Sequence, residues 1–357
     1  MRRLGVGIVG LGVGRHHAAA FASHPQCTVA ALCDHHPDKL EAVGREYPQA
    51  RRTTSAQEVL DGSDVDIVSV ASYDEDHYAQ VLRALGNGKH VLVEKPVCMV
   101  AGQLAEIVAK WRECSGLRIS SNMNLRTCPA FSALRAAMKA GELGQIISVE
   151  GDYLWGQARM HRLRNGWRTD MEHYSILLGA SVHLVDLILW LVGQRPVEVM
   201  AWGNDVAMRG SRCKHPDFAM LMLRFPDGLV AKVTASGGCA HPHFHGLRVL
   251  GTEASFLNEL SGARMIRYEA GDQPPAVEGR YPDHKESGRY EVRDTGWEYP
   301  GISRKGELIL SFVDAVLDSG KEPLVPEDDV FATMSVCLAG EESLSTGRPV
   351  TVKYAVG

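Results

Sequence analysis

The chain has 357 residues, of which 45% are hydrophobic and 23% are charged, and its net charge at pH 7 is −5. This is the composition of a globular protein that is long enough for two domains with separate cores. The acidic balance, without a basic stripe, argues against nucleic-acid binding and favours a small-molecule ligand.

Three features of the sequence indicate a cytoplasmic protein without a membrane partner. The apolar stretch 4–9 is too short for a secretory signal and is broken by glycines. The apolar stretch 182–192 contains Asp186 and falls short of the roughly 20 residues that a membrane span needs. The eight cysteines form no CxxC pair, which favours reduced thiols.

The first predicted elements are a buried strand over residues 4–9, a glycine turn and a helix over residues 15–23. Glycines let a backbone approach a pyrophosphate closely, and the free amides at a helix N-terminus face its charge. The third glycine of the usual GxGxxG spacing would fall on Arg15, so this variant is weak evidence by itself, and a turn without a ligand is the alternative. The predicted cofactor contacts of the turn are Gly10, Gly12, Val13 and Gly14.

The second predicted strand, residues 28–33, ends at Asp34, which lies where an acid would accept hydrogen bonds from the adenosine ribose. The phosphate of NADP would be repelled by this carboxylate unless a cation relieved it, and the next residues are His35 and His36. We therefore expect NAD, with His35 among its contacts. The pair Arg51–Arg52 keeps NADP as the less favoured alternative.

Short apolar strands then alternate with helices up to residue 121. The predicted helices are 37–47, 76–85 and 101–114, and the predicted strands are 65–71, 91–94 and 117–121. This alternation is typical of a doubly wound parallel sheet, which binds its ligand at the carboxyl ends of the strands. Ser72, Tyr73, Glu94 and Lys95 lie at such ends. We predict an α/β fold, with a Rossmann domain over residues 1–121 and a substrate domain over residues 122–357.

The strand His90–Val93, followed by Glu94-Lys95-Pro96, resembles the Gfo/Idh/MocA oxidoreductase family. Other segments are similar to that family along nearly the whole chain. They are Val9–Gly12 with His17, Asp34, His77, Arg126 with Pro129, Gly141–Gly144, Gly166–Arg168, Val182–Asp186 and Gly251–Ala254.

The resemblance implies a second α+β domain with a large, open, mainly antiparallel sheet, and a homodimer or homotetramer. It also implies that His77, Trp167 and Arg168 lie at the cofactor. The predicted substrate contacts are Asn122, Arg126, Tyr153, Trp155, Asp170, His173, Tyr174 and His243.

Hydride transfer from an alcohol carbon needs a base for the hydroxyl proton and a donor for the developing oxyanion. The resemblance assigns these roles to Lys95 and His183. The alternatives are a surface lysine and a packed histidine that bonds Asp186, three residues further along the helix. Many family members carry an aspartate four residues before this histidine, where this chain has Gly179.

The segment before this helix also departs from the family, because His173-Tyr174-Ser175 stands in place of a glycine run. Asp170, His173 or Tyr174 could take over the duty of the missing carboxylate.

Two other sets of side chains have alternative interpretations. Tyr153 and Trp155 share one face of a strand, where they could stack against a sugar or simply belong to the core or an interface. His241, His243 and His245 alternate, which would bring all three to one face of a strand. Since no acidic or cysteine ligand has suitable spacing nearby, we predict a strand edge or oligomer surface, with substrate hydrogen bonding as the alternative, and no metal.

We expect an NAD(H)-dependent oxidoreductase that transfers hydride to or from a hydroxyl-bearing carbon of a sugar, cyclitol or nucleotide-sugar. One alternative is an NAD-dependent glycosidase that acts by transient oxidation and elimination. The other is a dinucleotide sensor without catalysis, to which Gly179 lends some weight and against which Lys95 and His183 count.

Overall fold

The computed structural model describes residues 3–156, 166–169, 171–172, 174–211, 215–269, 289–299 and 305–356. Asp170 and His173, two predicted substrate contacts, lie outside the described residues. No helix among these ranges is both long and apolar enough to cross a membrane.

The N-terminal part consists of six short strands that alternate with five helices. The strands are β1 (Leu4–Val9), β2 (Cys27–Cys33), β3 (Arg51–Thr53), β4 (Ile67–Val70), β5 (His90–Val93) and β6 (Ile119–Ser121). The helices are α1 (Gly14–Ser23), α2 (Pro37–Gly44), α3 (Ala56–Asp61), α4 (His77–Gly86) and α5 (Ala101–Glu113).

All six strands are parallel and lie in the order β3-β2-β1-β4-β5-β6. Strands covered by helices on both faces are apolar along their whole length, and β4 is accordingly buried at every residue. The strand order reverses between β1 and β4, which is where an open α/β sheet binds its ligand. The predicted Rossmann sheet is confirmed.

The rest of the chain is built around a nine-stranded sheet. Its strands are β7 (Ile146–Gly156), β8 (Glu198–Asn204), β9 (Phe218–Arg224), β10 (Val230–Cys239), β11 (Phe244–Gly251), β12 (Ala254–Glu259), β13 (Gly262–Glu269), β14 (Arg289–Asp294) and β15 (Val350–Thr351). The helices are α6 (Pro129–Lys139), α7 (Val182–Val192), α8 (Lys305–Leu317) and α9 (Glu327–Thr346). A π-helical turn, Leu177–Ser181, leads into α7.

The strand order of this second sheet is β14-β13-β12-β11-β7-β10-β9-β8-β15. The ladder between β7 and β10 is parallel and the other ladders are antiparallel, which confirms the mainly antiparallel sheet. Helices α7 and α9 pack against one face of it, and α8 packs against α1 of the first sheet. A continuous apolar core therefore joins the two parts.

A buried ion pair also fastens the junction between α7, α9 and the turn before α6. The Arg126 guanidinium donates to both carboxylate oxygens of Asp186, from Nε at 2.9 Å and from Nη2 at 2.6 Å. Its Nη1 donates to Asp329 Oδ2 at 2.7 Å and to the Leu324 carbonyl at 3.0 Å. The Arg126 side chain is 1% exposed and that of Asp186 is fully buried.

Candidate active site

A cavity of about 470 Å³ opens at the carboxyl ends of β1, β4 and β5, against β7 and α7 of the second sheet. It has the size of a small-molecule site. Most of the side chains predicted for the site line it: Gly10, Gly12, Val13, Asp34, His35, Ser72, Tyr73, Glu94, Lys95, Asn122, Tyr153, Trp155, Trp167, Arg168 and His183.

The glycine turn combines a tight bend with an open backbone surface. Gly10 has φ of 88°, and a Cβ there would lie 2.3 Å from the Ala71 carbonyl oxygen, so only glycine fits. A Cβ on Gly12 would meet nothing within 4 Å, which leaves this face open to a ligand. The N-terminus of α1 has no side-chain cap, and uncapped helix amides are a ready site for an anion. These features fit the pyrophosphate of a dinucleotide.

Gly14 does not line the cavity. It is the first residue of α1, and a Cβ there would lie 3.0 Å from Ile8 and 3.2 Å from Ala71. Its position therefore explains the close packing of helix on strand, which is another use of glycine in this type of turn.

Asp34 lies at the end of β2 and is almost fully buried. Its Oδ2 accepts the Leu11 amide at 2.8 Å and its Oδ1 accepts the His36 amide at 2.9 Å. A carboxylate has about four acceptor positions, so these two bonds orient the group and leave capacity for ribose hydroxyls.

The two arginines that kept NADP open are engaged elsewhere. Arg51 Nη2 donates to Asp64 Oδ1 at 3.0 Å, and Arg52 Nη2 donates to the Gly44 carbonyl at 2.5 Å. Neither arginine lines the cavity. The geometry around Asp34 therefore fits NAD.

A row of rings forms the rim of the cavity. The Tyr73 ring lies 5.2 Å from His35 and 4.5 Å from Trp167, measured between centroids. The Arg168 guanidinium lies 4.1 Å from the Trp167 centroid, and its Nη2 is 3.4 Å from Asp74 Oδ1. The turn 167–169 thus reaches from the second part of the chain to the first, and this contact closes one side of the cavity.

Glu94 supports the base of the site beside Lys95. Its Oε1 accepts the Asn122 amide at 2.6 Å and lies 3.2 Å from His17 Nε2. Burial raises the pKa of the Glu94 carboxyl, but contact with His17, the charge of Lys95 and the bond from Asn122 outweigh it and hold that pKa well below its usual range. Glu94 is therefore an anion that balances the cations around it.

Lys95 reaches across the cavity to the turn before α7. Its Nζ donates to the Gly179 carbonyl at 2.5 Å, so a main-chain oxygen holds the ammonium at the position where the resemblance led us to expect an aspartate. A Cβ on Gly179 would lie 3.0 Å from the Tyr174 hydroxyl and 3.3 Å from its ring. The phenol thus fills the space that a side chain at 179 would take.

His183 projects from α7 and is 4% exposed. Its ring is parallel to that of Tyr153, at a centroid distance of 5.9 Å and an angle of 8°. The Asp186 carboxylate, the alternative partner of this histidine, accepts hydrogen bonds from Arg126 and Thr333. His183, from α7, and Lys95, which follows β5, line the same cavity.

Several predicted contacts lie outside the cavity wall. The structure assigns Arg126 to the buried ion pair described above, which is a correction to its predicted substrate contact. His77 is fully buried, and its Nδ1 donates to the Pro96 carbonyl at 2.7 Å, so it joins the two turns that carry Tyr73 and Lys95. Tyr174 packs with Met171 and Met208 behind the wall.

The alternating histidines do not share one strand face, since β11 begins only at Phe244. His241 is followed by a turn, and its ring packs on Phe244 at 6.0 Å. His243 and His245 do lie together, at 4.9 Å between ring centroids, next to Tyr153. Among the described residues, the three side chains close enough to share a metal ion are instead Asp34, His35 and His36.

Several residues that the fold brings to the site carry no recognisable signal in the sequence. Lys39, Thr54, Gln80 and Asn124 line the cavity. Asn122 Oδ1 and Asn124 Oδ1 are buried and have no hydrogen-bond partner among the described residues. Buried acceptors of this kind call for an explanation, and a ligand in the cavity supplies one.

Together, the glycine turn, the oriented Asp34 and the cavity define the class of protein as an oxidoreductase with an NAD-binding Rossmann domain. Comparison with known proteins agrees. Residues 4–120 match the model of the oxidoreductase family with an NAD-binding Rossmann fold, and residues 131–257 match the GFO/IDH/MocA C-terminal domain. The chain belongs to the Gfo/Idh/MocA oxidoreductase family, as the sequence motifs predicted.

The names of similar proteins refer to small carbohydrates and cyclitols as substrates. The chain is 27% identical to the 1,5-anhydro-D-fructose reductase of Ensifer adhaerens, over 64% of this chain and 67% of that protein. It is 23% identical to inositol 2-dehydrogenase 2 of Saccharopolyspora erythraea, over 99% and 96%. A structure of scyllo-inositol dehydrogenase from Lactobacillus casei, with bound NAD(H) and scyllo-inositol, shares the fold with a TM-score of 0.78 at 19% identity, covering 98% and 99% of the two chains.

Proposed function

We propose that the protein is an NAD(H)-dependent dehydrogenase or reductase that interconverts a hydroxyl and a carbonyl group on a sugar, cyclitol or nucleotide-sugar. The observation that carries this proposal is the meeting of Lys95 and His183 in one cavity with the glycine turn. The names of the similar proteins, which include an anhydrosugar reductase and an inositol dehydrogenase, support the substrate class.

The two side chains divide the work on the substrate oxygen. NAD, when bound, supplies or accepts the hydride. The Lys95 ammonium, oriented by the Gly179 carbonyl, donates a hydrogen bond to the reacting oxygen and stabilises the negative charge that develops on it. His183, whose ring is fixed by Tyr153, takes the hydroxyl proton in the oxidation and returns it in the reduction.

Other described groups are suited to holding the ligands in place. The Gly12 backbone and the N-terminus of α1 receive the pyrophosphate, and Asp34 receives the ribose hydroxyls. The free acceptors on Asn122 and Asn124 are available to an amide or a hydroxyl group. We retain the predictions of a cytoplasmic homodimer or homotetramer and of a domain boundary at residue 121.

The test combines cofactor binding with a substrate screen. NADH and NADPH are titrated by fluorescence, and the protein is then assayed with sugars, inositols and nucleotide-sugars by nicotinamide absorbance. We expect preference for NADH, and turnover that Lys95→Ala and His183→Ala each lower by about 100-fold or more, the usual contribution of a positioned acid or base. Lys139→Ala, at an exposed site on α6, is the matched control and should retain full activity.

Three other outcomes would favour an alternative function or refute the assignment of the site residues. Release of product without net change in nicotinamide absorbance would favour the glycosidase that works by transient oxidation. Tight NADH binding without conversion of any compound would favour the sensor. Full turnover in both site variants would refute the assignment of Lys95 and His183.

A further inference from the structure

A buried histidine lies next to the proposed acid-base residue, and both contact the same tyrosine. His245, on β11, is 1% exposed and stands directly opposite Tyr153 in the pairing of β11 with β7. The edge of one ring faces the other, at 4.6 Å between centroids and 77° between planes. The His183 ring is parallel to Tyr153, and its centroid lies 6.5 Å from that of His245. The three rings therefore form a triangle in which each ring contacts the other two.

Tyr299 holds His245 through its hydroxyl oxygen. The backbone amide of His245 donates to Tyr299 Oη at 3.2 Å, and His245 Nδ1 makes a short hydrogen bond with the same oxygen. The Asn258 amide donates to the His245 carbonyl at 2.9 Å and fixes the main chain. Three hydrogen bonds thus set the place and the orientation of this imidazole.

The segment that carries Tyr299 is itself anchored. Residues 295–299 follow the edge strand β14 and return to the site, and the Ala130 amide donates to the Glu298 carbonyl at 3.2 Å. The Tyr299 ring packs against Phe131 at 5.7 Å and Phe244 at 5.0 Å. The tyrosine is held by packing independent of its hydroxyl group.

The two contacts at Tyr299 Oη determine the tautomer of His245. A backbone amide can only donate, so Oη accepts from it, and the hydroxyl proton needs an acceptor of its own. Among the described residues, His245 Nδ1 is the acceptor within reach, and the proton would otherwise be buried without a partner. Burial also raises the pKa of Tyr299 above its usual value, so the hydroxyl keeps its proton. Nδ1 is then the acceptor, and a neutral ring carries its hydrogen on Nε2, the nitrogen directed away from Tyr299.

We propose that Tyr299 and His245 are a positioning pair for His183. Tyr299 locks His245 as its Nε2–H tautomer, and the fixed His245 holds Tyr153, against which the His183 ring lies parallel. His245 contacts the His183 ring directly, edge to face, as well as through Tyr153, so the role of the pair is to keep the acid-base ring in one orientation and not to exchange a proton with the substrate. This inference rests on the proposed function of His183, whereas the tautomer itself does not.

The first arm of the test is spectroscopic and needs no substrate. Long-range ¹⁵N–¹H correlation of the full-length protein labelled in its histidines reports which ring nitrogen carries hydrogen, and the His245 signal is the one lost in His245→Gln. We expect the Nε2–H pattern in the wild type and its loss or averaging in Tyr299→Phe. A wild-type His245 with hydrogen on Nδ1, or an unchanged pattern in Tyr299→Phe, would overturn the proposal.

The second arm is kinetic and uses a substrate found in the screen above. We expect Tyr299→Phe to lower kcat by about 10-fold, the effect of losing one orienting hydrogen bond, with little change in KM or in NADH affinity. Tyr354→Phe is the matched control, because it deletes the hydroxyl of a half-buried tyrosine that donates to the Pro196 carbonyl at 2.6 Å and does not line the cavity. Equal kinetic losses in both variants would show a merely structural role and refute the proposal. Absence of turnover in the wild type would contradict the proposed function and leave the spectroscopic arm to decide on the pair.

Discussion

Two glycines of the same turn should respond to the same substitution in opposite ways. Gly12→Ala adds a methyl group that meets nothing within 4 Å. The backbone of residue 12 also lies outside the left-handed region, so alanine can adopt it. The folded protein can accept it, and the loss of chain entropy in the unfolded state should leave stability unchanged or raise it by about 0.4–1 kcal/mol. The methyl group would stand on the surface that we assign to the pyrophosphate.

The expected loss in NADH affinity follows from the contacts that this methyl group would block. Hydrogen bonds to a charged group contribute about 1.5–3 kcal/mol each, so one blocked amide–phosphate bond weakens binding about 10- to 100-fold. Gly10→Ala differs, because φ of 88° and a Cβ only 2.3 Å from the Ala71 carbonyl oxygen force the backbone to move. It should lower the free energy of unfolding by more than about 2 kcal/mol.

The assay pairs denaturant unfolding with NADH titration by fluorescence. Gly102→Ala, in α5, is the matched control, since its new methyl group also meets nothing within 4 Å but lies far from the cavity. This control should bind NADH as the wild type does. Wild-type NADH affinity in Gly12→Ala would refute the placement of the pyrophosphate, and wild-type stability in Gly10→Ala would refute the account of the turn.

Two further predictions concern buried charges. Arg126→Ala leaves the carboxylate of Asp186 buried without its partner, so the free energy of unfolding, measured in denaturant, should fall by about 3–5 kcal/mol. Adding Asp186→Asn should restore part of it, and no recovery would contradict this reading of the pair. The lowered pKa of Glu94 stabilises the fold above the unfolded pKa of a glutamate, near 4.3, and this stabilisation is lost as the pH falls. Unfolding between pH 3 and about pH 6 should therefore depend less on pH in Glu94→Gln, and equal slopes would show that Glu94 is not the group responsible.

Main-chain groups orient two charged side chains of the proposed site, which would compensate for the absence of an aspartate at position 179. The Lys95 ammonium is oriented by a carbonyl, and Asp34 is oriented by two amides. A carbonyl places the ammonium without adding a negative charge beside it. The negative charge that balances the ammonium comes from Glu94, which lies beside Lys95 at the end of β5. Its carboxylate is oriented by a hydrogen bond from Asn122.

Local sequence patterns were sufficient to predict the parallel sheet of the N-terminal part and the location of the cofactor turn. Buried parallel strands must be apolar along their length, and the turn after β1 needs glycine for φ and for close approach, so both leave local signals. Lys95 and Asp34 could be placed for the same reason, since each follows directly on a strand. Such signals depend on neighbouring residues only, and they do not require knowledge of the packing.

The tertiary structure alone decided which distant side chains became partners. An arginine after β6 has the same sequence signal whether it faces a substrate or a carboxylate, and only the packing of α7 and α9 gave Arg126 to Asp186. The pairing of Tyr299 with His245 spans 54 residues, and the contact of Trp167 with Tyr73 joins the two sheets. These choices depend on how separate elements are brought together, because hydrogen bonds and ring contacts act over a few ångströms in space whatever the distance along the chain.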